Sequence, residues 1–346
     1  MRQPQDEVAP PDYRERLERI RLAAGAGPLL ILTHDNPDPD ALASGKTLAR
    51  LFHQAWGISS QMAFSGLVTR AENMAMLHLL TPEWQPFEEV GEWGQYSAIG
   101  LVDTQPGAGN NNLPPEFVPQ IVIDHHHPLR SGLERVRHVD IQTEVGSTAS
   151  IVYSYLEAAG IEPDARLATA IFYGIQTDTL GLTRGSSLLD QRIYFKMLPL
   201  IDRELFIQVE QAGLPREYYR AFVGGLQAAK VYRQTVVSYL GEMHRPDFMA
   251  ELADVLIRLE NMQAVLCMGY HGSTLYLSVR TASPDRDAGS LIQQVIYGFG
   301  RAGGHGVMAG GQVPLVAQAP QKIAKELERR FVNLMGESRP AGTSLL

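Results

Sequence analysis

The stretch Ile121-Val122-Ile123-Asp124-His125-His126 decides the reading of this chain. Three β-branched apolar residues in succession read as a buried strand, and the run ends in three side chains of metal-ligating type. Open α/β sheets build their sites at strand ends of this kind. Three further segments repeat the pattern. His34, Asp38 and Asp40 follow the apolar run Leu29 to Leu32, Asp103 follows Ile99 to Val102, and Asp178 follows Ala170-Ile171-Phe172-Tyr173-Gly174-Ile175. Segments that each deliver Asp or His to one end of a hydrophobic element point to a two-metal hydrolytic centre.

The alternation around these runs predicts an α/β fold with a mostly parallel sheet. Residues 13 to 24 read as an amphipathic helix with Leu17 and Ile20 inward, ended by Gly25 and Gly27. Leu29 to Leu32 reads as a buried strand, and Ala41 to Trp56 as a helix that starts just after the Asp-rich loop. Ser147-Thr148 offers an N-cap to the apolar segment that follows. Residues 188 to 229 carry helical periodicity, and from Val231 the pattern changes. Strands are expected at 236–240, 264–268 and 274–279, then a helix from about Asp287 to Tyr297, a Gly-rich segment from Gly298 to Gly311 with a strand after it, and a last helix from about Gln321 to Met335. Ser338 to Leu346 reads as a loose tail. The expected domains are 12–190, a helical connector over 191–229, and a smaller α/β domain over 230–337.

Composition narrows the class. The 346 residues suffice for two domains, and 45% hydrophobic with 20% charged residues marks a globular chain. No apolar run reaches the roughly 20 residues of a membrane span. Met1 to Pro11 lacks the basic and apolar regions of a secretion signal. A single cysteine, Cys267, excludes an intramolecular disulfide and fits a reducing compartment, so a cytoplasmic location is expected. The net charge of −8 argues against a general duplex binder, whose affinity rests on phosphate neutralisation, and for small substrates held by metals and a few arginines.

In His34-Asp35-Asn36-Pro37-Asp38-Pro39-Asp40, two prolines stiffen a loop dense in ligands. Asp38 and Asp40 lie two apart and can reach neighbouring ions. Carboxylate oxygens with imidazole suit Mn²⁺ or Mg²⁺ and also admit Zn²⁺, Fe²⁺ and Co²⁺. The plainer reading of this stretch is an Asx-rich turn with Asp40 as N-cap. Asp103 is placed to bridge two cations, or to close a strand-end turn. In Asp124-His125-His126-His127, one imidazole can bind metal while another contacts phosphate or protonates a leaving group. His127 reads as a partner behind the ligands or as simply solvated. Asp178 reads as a terminal ligand, oriented by hydrogen bonds from Thr177 and Thr179. In the Gly-rich segment, Arg301, Gly303, Gly304 and His305 form a candidate phosphate clamp, since glycines let backbone N–H groups approach anionic oxygens. The plainer alternative is a tight turn between packed elements. Arg280 is a second candidate phosphate ligand. His53, His78, His138, His244 and His271 lack ligand-like neighbours, and Trp56, Trp84, Trp93 and Cys267 read as packing residues.

The ordered set His34-x3-Asp38-x-Asp40, Asp103, Asp124-His125-His126 and Asp178 resembles the DHH phosphoesterase superfamily, and Gly303-Gly304-His305 with Arg280 resembles its DHH-associated second domain. Order and length most resemble the bacterial oligoribonuclease and pAp-phosphatase (nanoRNase A) type. The resemblance implies a DHH domain plus a smaller DHH-associated domain, with the active site in the cleft between them. It implies two divalent ions, manganese in most members, with Mg²⁺ or Co²⁺ as alternatives. His34, Asp38 and Asp103 would hold one ion, and Asp40, Asp103, His125 and Asp178 the other, with Asp103 as bridge. His126 would contact the scissile phosphate, and His305 and Arg280 the substrate's terminal phosphate. The implied substrates are short single-stranded RNA or small nucleotides such as pAp, with no long duplex and no membrane partner, and homodimers are reasonable on family grounds. Cyclic-di-AMP or linear-dinucleotide hydrolysis is the nearest alternative, then exopolyphosphatase or pyrophosphatase activity, then nucleotide binding without turnover. Three positions depart from the family pattern: the extra His127, Leu180 to Arg184 where many relatives have a phenylalanine, and Ala302 where a third glycine is common.

Overall fold

The computed structural model describes residues 13–316, 319–336 and 342–346. The expectations for Met1 to Pro11 and for the first part of the tail, 338–341, lie outside the described residues. The chain divides into two units, Met1–Ala212 and Gly213–Leu346.

The first unit runs α1 (Tyr13–Ala24), β1 (Leu29–Leu32), α2 (Pro39–Trp56), β2 (Ser60–Phe64), α3 (Ala71–Leu79), β3 (Trp84–Pro86), β4 (Ala98–Val102), β5 (Ile121–Asp124) and β6 (His138–Ile141). Then follow α4 (Thr148–Ala158), α5 (Ala165–Thr179), α6 (Leu188–Met197) and α7 (Arg203–Glu210). Its six strands form an all-parallel sheet in the order β3-β2-β1-β4-β5-β6. The uninterrupted apolar runs follow from burial on both faces. Alternate residues of β1 point to opposite sides. Leu29 and Ile31 join the core beneath the helices, while Leu30 and Leu32 join Leu101 and Val122 under a cover that includes Trp93 and Phe117. Strand order reverses direction between β1 and β4, which places the topological switch point at their carboxyl ends.

Helix α2 begins two residues before the expected Ala41. Pro39 opens the helix with a preset φ and needs no hydrogen-bond partner, and the Asp38 carboxylate caps it by accepting from the Ala41 N–H at 3.0 Å. Asp38 is therefore the cap, and Asp40 lies inside the first turn. Ser147 caps α4, as the sequence predicts.

The second unit runs α8 (Arg216–Gln227), β7 (Lys230–Tyr232), β8 (Thr235–Glu242), α9 (Phe248–Leu256), β9 (Ala264–His271), β10 (Thr274–Thr281) and α10 (Ala288–Ile296). It ends with β11 (Arg301–His305), β12 (Met308–Pro314), α11 (Pro320–Leu334) and β13 (Thr343–Ser344). Its mixed sheet has the order β11-β12-β10-β9-β8-β7-β13, antiparallel except for the β8–β9 pair. The helical stretch expected as a connector is three helices, of which α6 and α7 fall in the first unit and α8 in the second. The Gly-rich segment is a β-hairpin, β11 with β12, rather than a loop, and Gly303, Gly304, Gly310 and Gly311 all pair in its ladder. The end of the expected loose tail is strand β13, paired with β7. Cys267 is fully buried in the core, as expected. No described helix is long and apolar enough to cross a membrane.

Candidate metal centre

Adjacent strands bring the ligands together. His34 follows β1, Asp103 follows β4 and His125 follows β5, and these strands lie side by side. The N-terminus of α2 adds Asp38 and Asp40, and the last turn of α5 adds Asp178. Helices α2 and α5 approach closely at Gly174, where a side chain would stand 3.2 Å from the Ala43 Cβ, the Asp40 Cα and the Pro39 carbonyl. That contact lets Asp178, one turn further along α5, reach the site.

Asp103 is the focus. It is 1% exposed, and its backbone adopts φ +59° at the end of β4, a strained value for a non-glycine residue. Its Oδ2 lies 3.4 Å from the Nε2 of His34, and its Oδ1 lies 3.6 Å from both the Nε2 of His125 and the Nδ1 of His126. The Nε2 of His34 is 3.8 Å from Asp38, and that of His125 is 3.2 Å from Asp178. Ligand atoms of His34, Asp38 and Asp103 lie within 4.8 Å of one another; so do those of Asp40, His125 and Asp178, and those of Asp103, His125 and His126. All six predicted metal ligands and His126 thus converge.

Two observations fit the centre to cations. The Asp103 Oδ2 and the His125 Nε2 are buried without a hydrogen-bond partner, an arrangement that is costly unless something else binds them. The charge balance asks for positive charge as well. Burial raises the Asp103 carboxyl, but His126, His34 and His125 outweigh it and hold it well below the usual carboxylate range. Burial lowers His34 and His125, yet their carboxylate neighbours push both well above the ordinary imidazole value. Asp40 is driven well above the carboxylate range by burial and then by Asp103 and Asp178, and burial raises Asp178 too. Carboxylate oxygens with imidazole nitrogens suit Mn²⁺ or Mg²⁺.

Supporting residues aim these ligands. The His34 Nδ1 meets the Asp35 carbonyl at 3.0 Å, and the His125 Nδ1 meets the Val145 carbonyl at 3.1 Å, which leaves both Nε2 atoms toward the centre. The Asp40 carboxylate accepts from the N–H groups of Thr148 and Ala149 at 2.7 and 2.9 Å, and the Thr148 hydroxyl donates to Asp103 at 2.8 Å.

Two expectations need correction. Asp124, read with its neighbours as a metal-ligand side chain, joins none of the ligand groups. It is the last residue of β5, and its Oδ1 meets the His126 Nδ1 at 2.8 Å while its Oδ2 accepts from Gln105 at 2.7 Å. Thr177 and Thr179 do not orient Asp178. Their hydroxyls bond back to carbonyls of α5 itself, at Tyr173, Gly174 and Ile175, as threonines inside helices do. His127 is exposed to solvent, the second of its two readings. The sequence reading missed Gln105 and the hydrogen bonds of Thr148. Gln105 follows Asp103 by two residues, and Thr148 was read only as part of a cap.

The second-unit candidates lie on one hairpin and its neighbour. Arg301 is exposed on β11, and a side chain at Gly303 would meet open space. At Gly304, with φ +136°, a Cβ would stand 2.4 Å from the Ala309 Cα, so close packing against β12 alone requires glycine there. The side chain of His305 lies outside the described residues. Arg280 is engaged within its own unit: Nε bonds Asp254 at 2.5 Å, and Nη1 bonds the Ser278 hydroxyl and the Val279 carbonyl.

Comparison with known proteins places this geometry. Residues 28–175 match the DHH family, N-terminal domain. An uncharacterized protein of Methanocaldococcus jannaschii is 33% identical over 290 residues, which cover 83% of this chain and 58% of that protein. The A-adding tRNA nucleotidyltransferase of Geobacter sulfurreducens is 26% identical over 337 residues, 90% of this chain and 35% of that one. A probable manganese-dependent inorganic pyrophosphatase of Streptococcus agalactiae is 26% identical over 152 residues, 44% of this chain and 48% of that one. The chain therefore spans between about a third and three fifths of the length of these curated relatives. The crystal structure of an exopolyphosphatase-related protein from Bacteroides fragilis superposes with a TM-score of 0.76 at 16% identity, covering 93% of this chain and 97% of that one, which shows a shared fold.

Proposed function

We propose that this chain, through its DHH-family domain, is a metal-dependent phosphoesterase of the cytoplasm that hydrolyses short oligoribonucleotides and small nucleotides such as pAp. The observation that carries the reading is the convergence on Asp103 of imidazoles and carboxylates from four segments, with buried ligand atoms left without partners. His34, Asp38 and Asp103 would hold one divalent ion, and Asp40, Asp103, His125 and Asp178 a second, with manganese the ion we favour. Bound there, the ions supply Lewis acidity and an activated water for attack at phosphorus. Asp103, whose Oδ2 faces His34 and whose Oδ1 faces His125, would be shared between the two sets. Asp124 ties down the Nδ1 of His126, so the Nε2 is the nitrogen left for a phosphate oxygen or a leaving group. Gln105 fixes this pair from behind, donating to the Asp124 carboxylate and to the His126 carbonyl at 3.0 Å. Arg301, Gly303, Gly304 and His305 of the second unit, with Arg280, are our candidates for the substrate's terminal phosphate. The relation to a tRNA nucleotidyltransferase over 90% of the chain supports a nucleotide substrate, because it extends through both units.

Pyrophosphate hydrolysis is the second reading, favoured by the pyrophosphatase match over 152 residues. One assay separates them. Product analysis with Mn²⁺ would compare a 5′-phosphorylated RNA dinucleotide, an RNA pentamer, pAp, cyclic-di-AMP and pyrophosphate. Conversion of the dinucleotide and pAp with pyrophosphate inert supports the proposal. Cleavage of pyrophosphate alone overturns it, and preference for cyclic-di-AMP reassigns the substrate.

A further inference from the structure

Asp190 lies outside the centre, fully buried in the first turn of α6. Its carboxylate gathers donors from two helix starts. Oδ2 accepts from the Gly146 N–H at 2.8 Å, the Ser187 N–H at 2.7 Å and the Ser187 hydroxyl at 2.6 Å. Oδ1 accepts from the hydroxyls of Ser150 at 2.6 Å and Ser147 at 3.2 Å. Among the described residues no cationic side chain pairs with it; the positive ends of α4 and α6 offset its charge instead. Capping α6 accounts for the Ser187 contacts alone. The contacts to Gly146, Ser147 and Ser150 belong to the turn that starts α4.

That turn touches the centre at both ends. The Val145 carbonyl holds the Nδ1 of His125, and the N–H groups of Thr148 and Ala149 hold both oxygens of Asp40. His125 and Asp40 share one ligand group, with Asp178. Gly146, between them, has no room for a side chain: a Cβ would stand 3.1 Å from the Asp190 Oδ2 and 2.8 Å from the Thr179 Cγ2.

We propose that Asp190 is a positioning residue for the ion held by Asp40, His125 and Asp178, acting through the 145–149 turn that orients the first two. The inference rests on the two-metal reading above. It predicts a larger effect on this ion than on the other, because the turn reaches the other ligand group only through the Thr148 hydroxyl on Asp103, while His34 and Asp38 are oriented by the Asp35 carbonyl and the start of α2.

The test is Mn²⁺ titration of the full chain by calorimetry and electron paramagnetic resonance, with a melting curve in chelator for each variant. Wild type should bind two ions, and Asp40→Asn should lose one. Asp190→Asn, which cannot accept from all of these donors, should weaken the same ion by roughly 10- to 100-fold, the range for groups that orient metal ligands. The other ion should change by a smaller factor. Ser150→Ala, which removes a single donor, should weaken the same ion by a smaller factor. Equal weakening of both ions, or unchanged binding in a folded Asp190→Asn, overturns the proposal. If Asp190→Asn fails to fold and Ser150→Ala binds like wild type, Asp190 serves the fold alone and the proposal is again overturned. A wild type that binds no Mn²⁺ overturns the metal centre itself, and the inference with it.

Discussion

Replacing Asp124 with asparagine tests how the chain presents His126. Asp124 has no exposure and faces two groups, the His126 Nδ1 at 2.8 Å and the Gln105 amide at 2.7 Å. An asparagine must turn its NH₂ toward one of them. Toward Gln105, two donors confront each other; toward His126, the Nδ1 must become an acceptor and the tautomer reverses. Either way a hydrogen bond to a charged group is lost, worth about 1.5–3 kcal/mol. At 1.36 kcal/mol per decade, that is roughly a 10- to 150-fold fall in kcat. The expected KM change is small, because the ligand groups do not include Asp124. The pH profile adds a second readout. Burial lowers the His126 pKa, but Asp103 and the hydrogen bond His126 donates to Asp124 raise it above the ordinary value. Neutralising Asp124 removes part of that rise, so an alkaline limb governed by His126 acting as an acid should move to lower pH. The assay is steady-state hydrolysis of a 5′-phosphorylated RNA dinucleotide in Mn²⁺ across pH, with Mn²⁺ stoichiometry measured alongside. A kcat within threefold of wild type and an unmoved limb, with metal binding intact, would refute the role given to the Asp124–His126 pair.

Asp103→Ala should lower turnover by more than about a hundredfold, beyond the range for groups that merely orient ligands, and should reduce bound Mn²⁺; retained activity sinks the two-metal assignment. Stability in chelator should fall as pH rises from 6 to 9. His34 and His125 are raised, so the stability from their protonation is complete below about 6.5 and is lost as pH climbs through their folded values. Asp40 and Asp178 are also raised, so ionising them acts in the same direction. Asp103, held low, contributes stability above its ordinary value that is lost as pH falls through its folded one. Melting curves in EDTA decide this, and a melting temperature that climbs between pH 6 and 9 contradicts it; added Mn²⁺ should flatten the dependence. Gly174→Ala forces a methyl to within 3.2 Å of α2, an overpacking worth about 1–3 kcal/mol, and should lower the melting temperature by roughly 2–12 °C while weakening the Asp178 ligand. An unchanged melting temperature would show that α2 and α5 separate without cost.

The candidate metal ligands were legible because each needs only two local facts, a chemical type and a place at the end of an apolar run. Parallel strands buried on both faces must be apolar throughout, so their ends stand out as the first polar positions. What failed was direction. Asp124 and His125 are neighbours in sequence, but the Asp124 carboxylate is taken up by Gln105 and the His126 Nδ1 while His125 faces Asp178 and Asp103. Thr177 and Thr179 failed for a related reason, since a helix offers its own carbonyls nearer than the Asp178 carboxylate. The Gly-rich segment failed because glycines serve a close strand pairing as well as they serve a loop.

The sequence by itself determined which residues are candidates for the chemistry and that they sit at the ends of buried elements, since hydrophobic periodicity and residue type are local properties. Only the tertiary structure decided that β1, β4 and β5 are neighbours, that the first turn of α4 supplies the donors for Asp40, and that Asp190 anchors that turn from α6. These are relations between residues up to about a hundred positions apart, fixed by strand order and helix packing, and no local pattern encodes them.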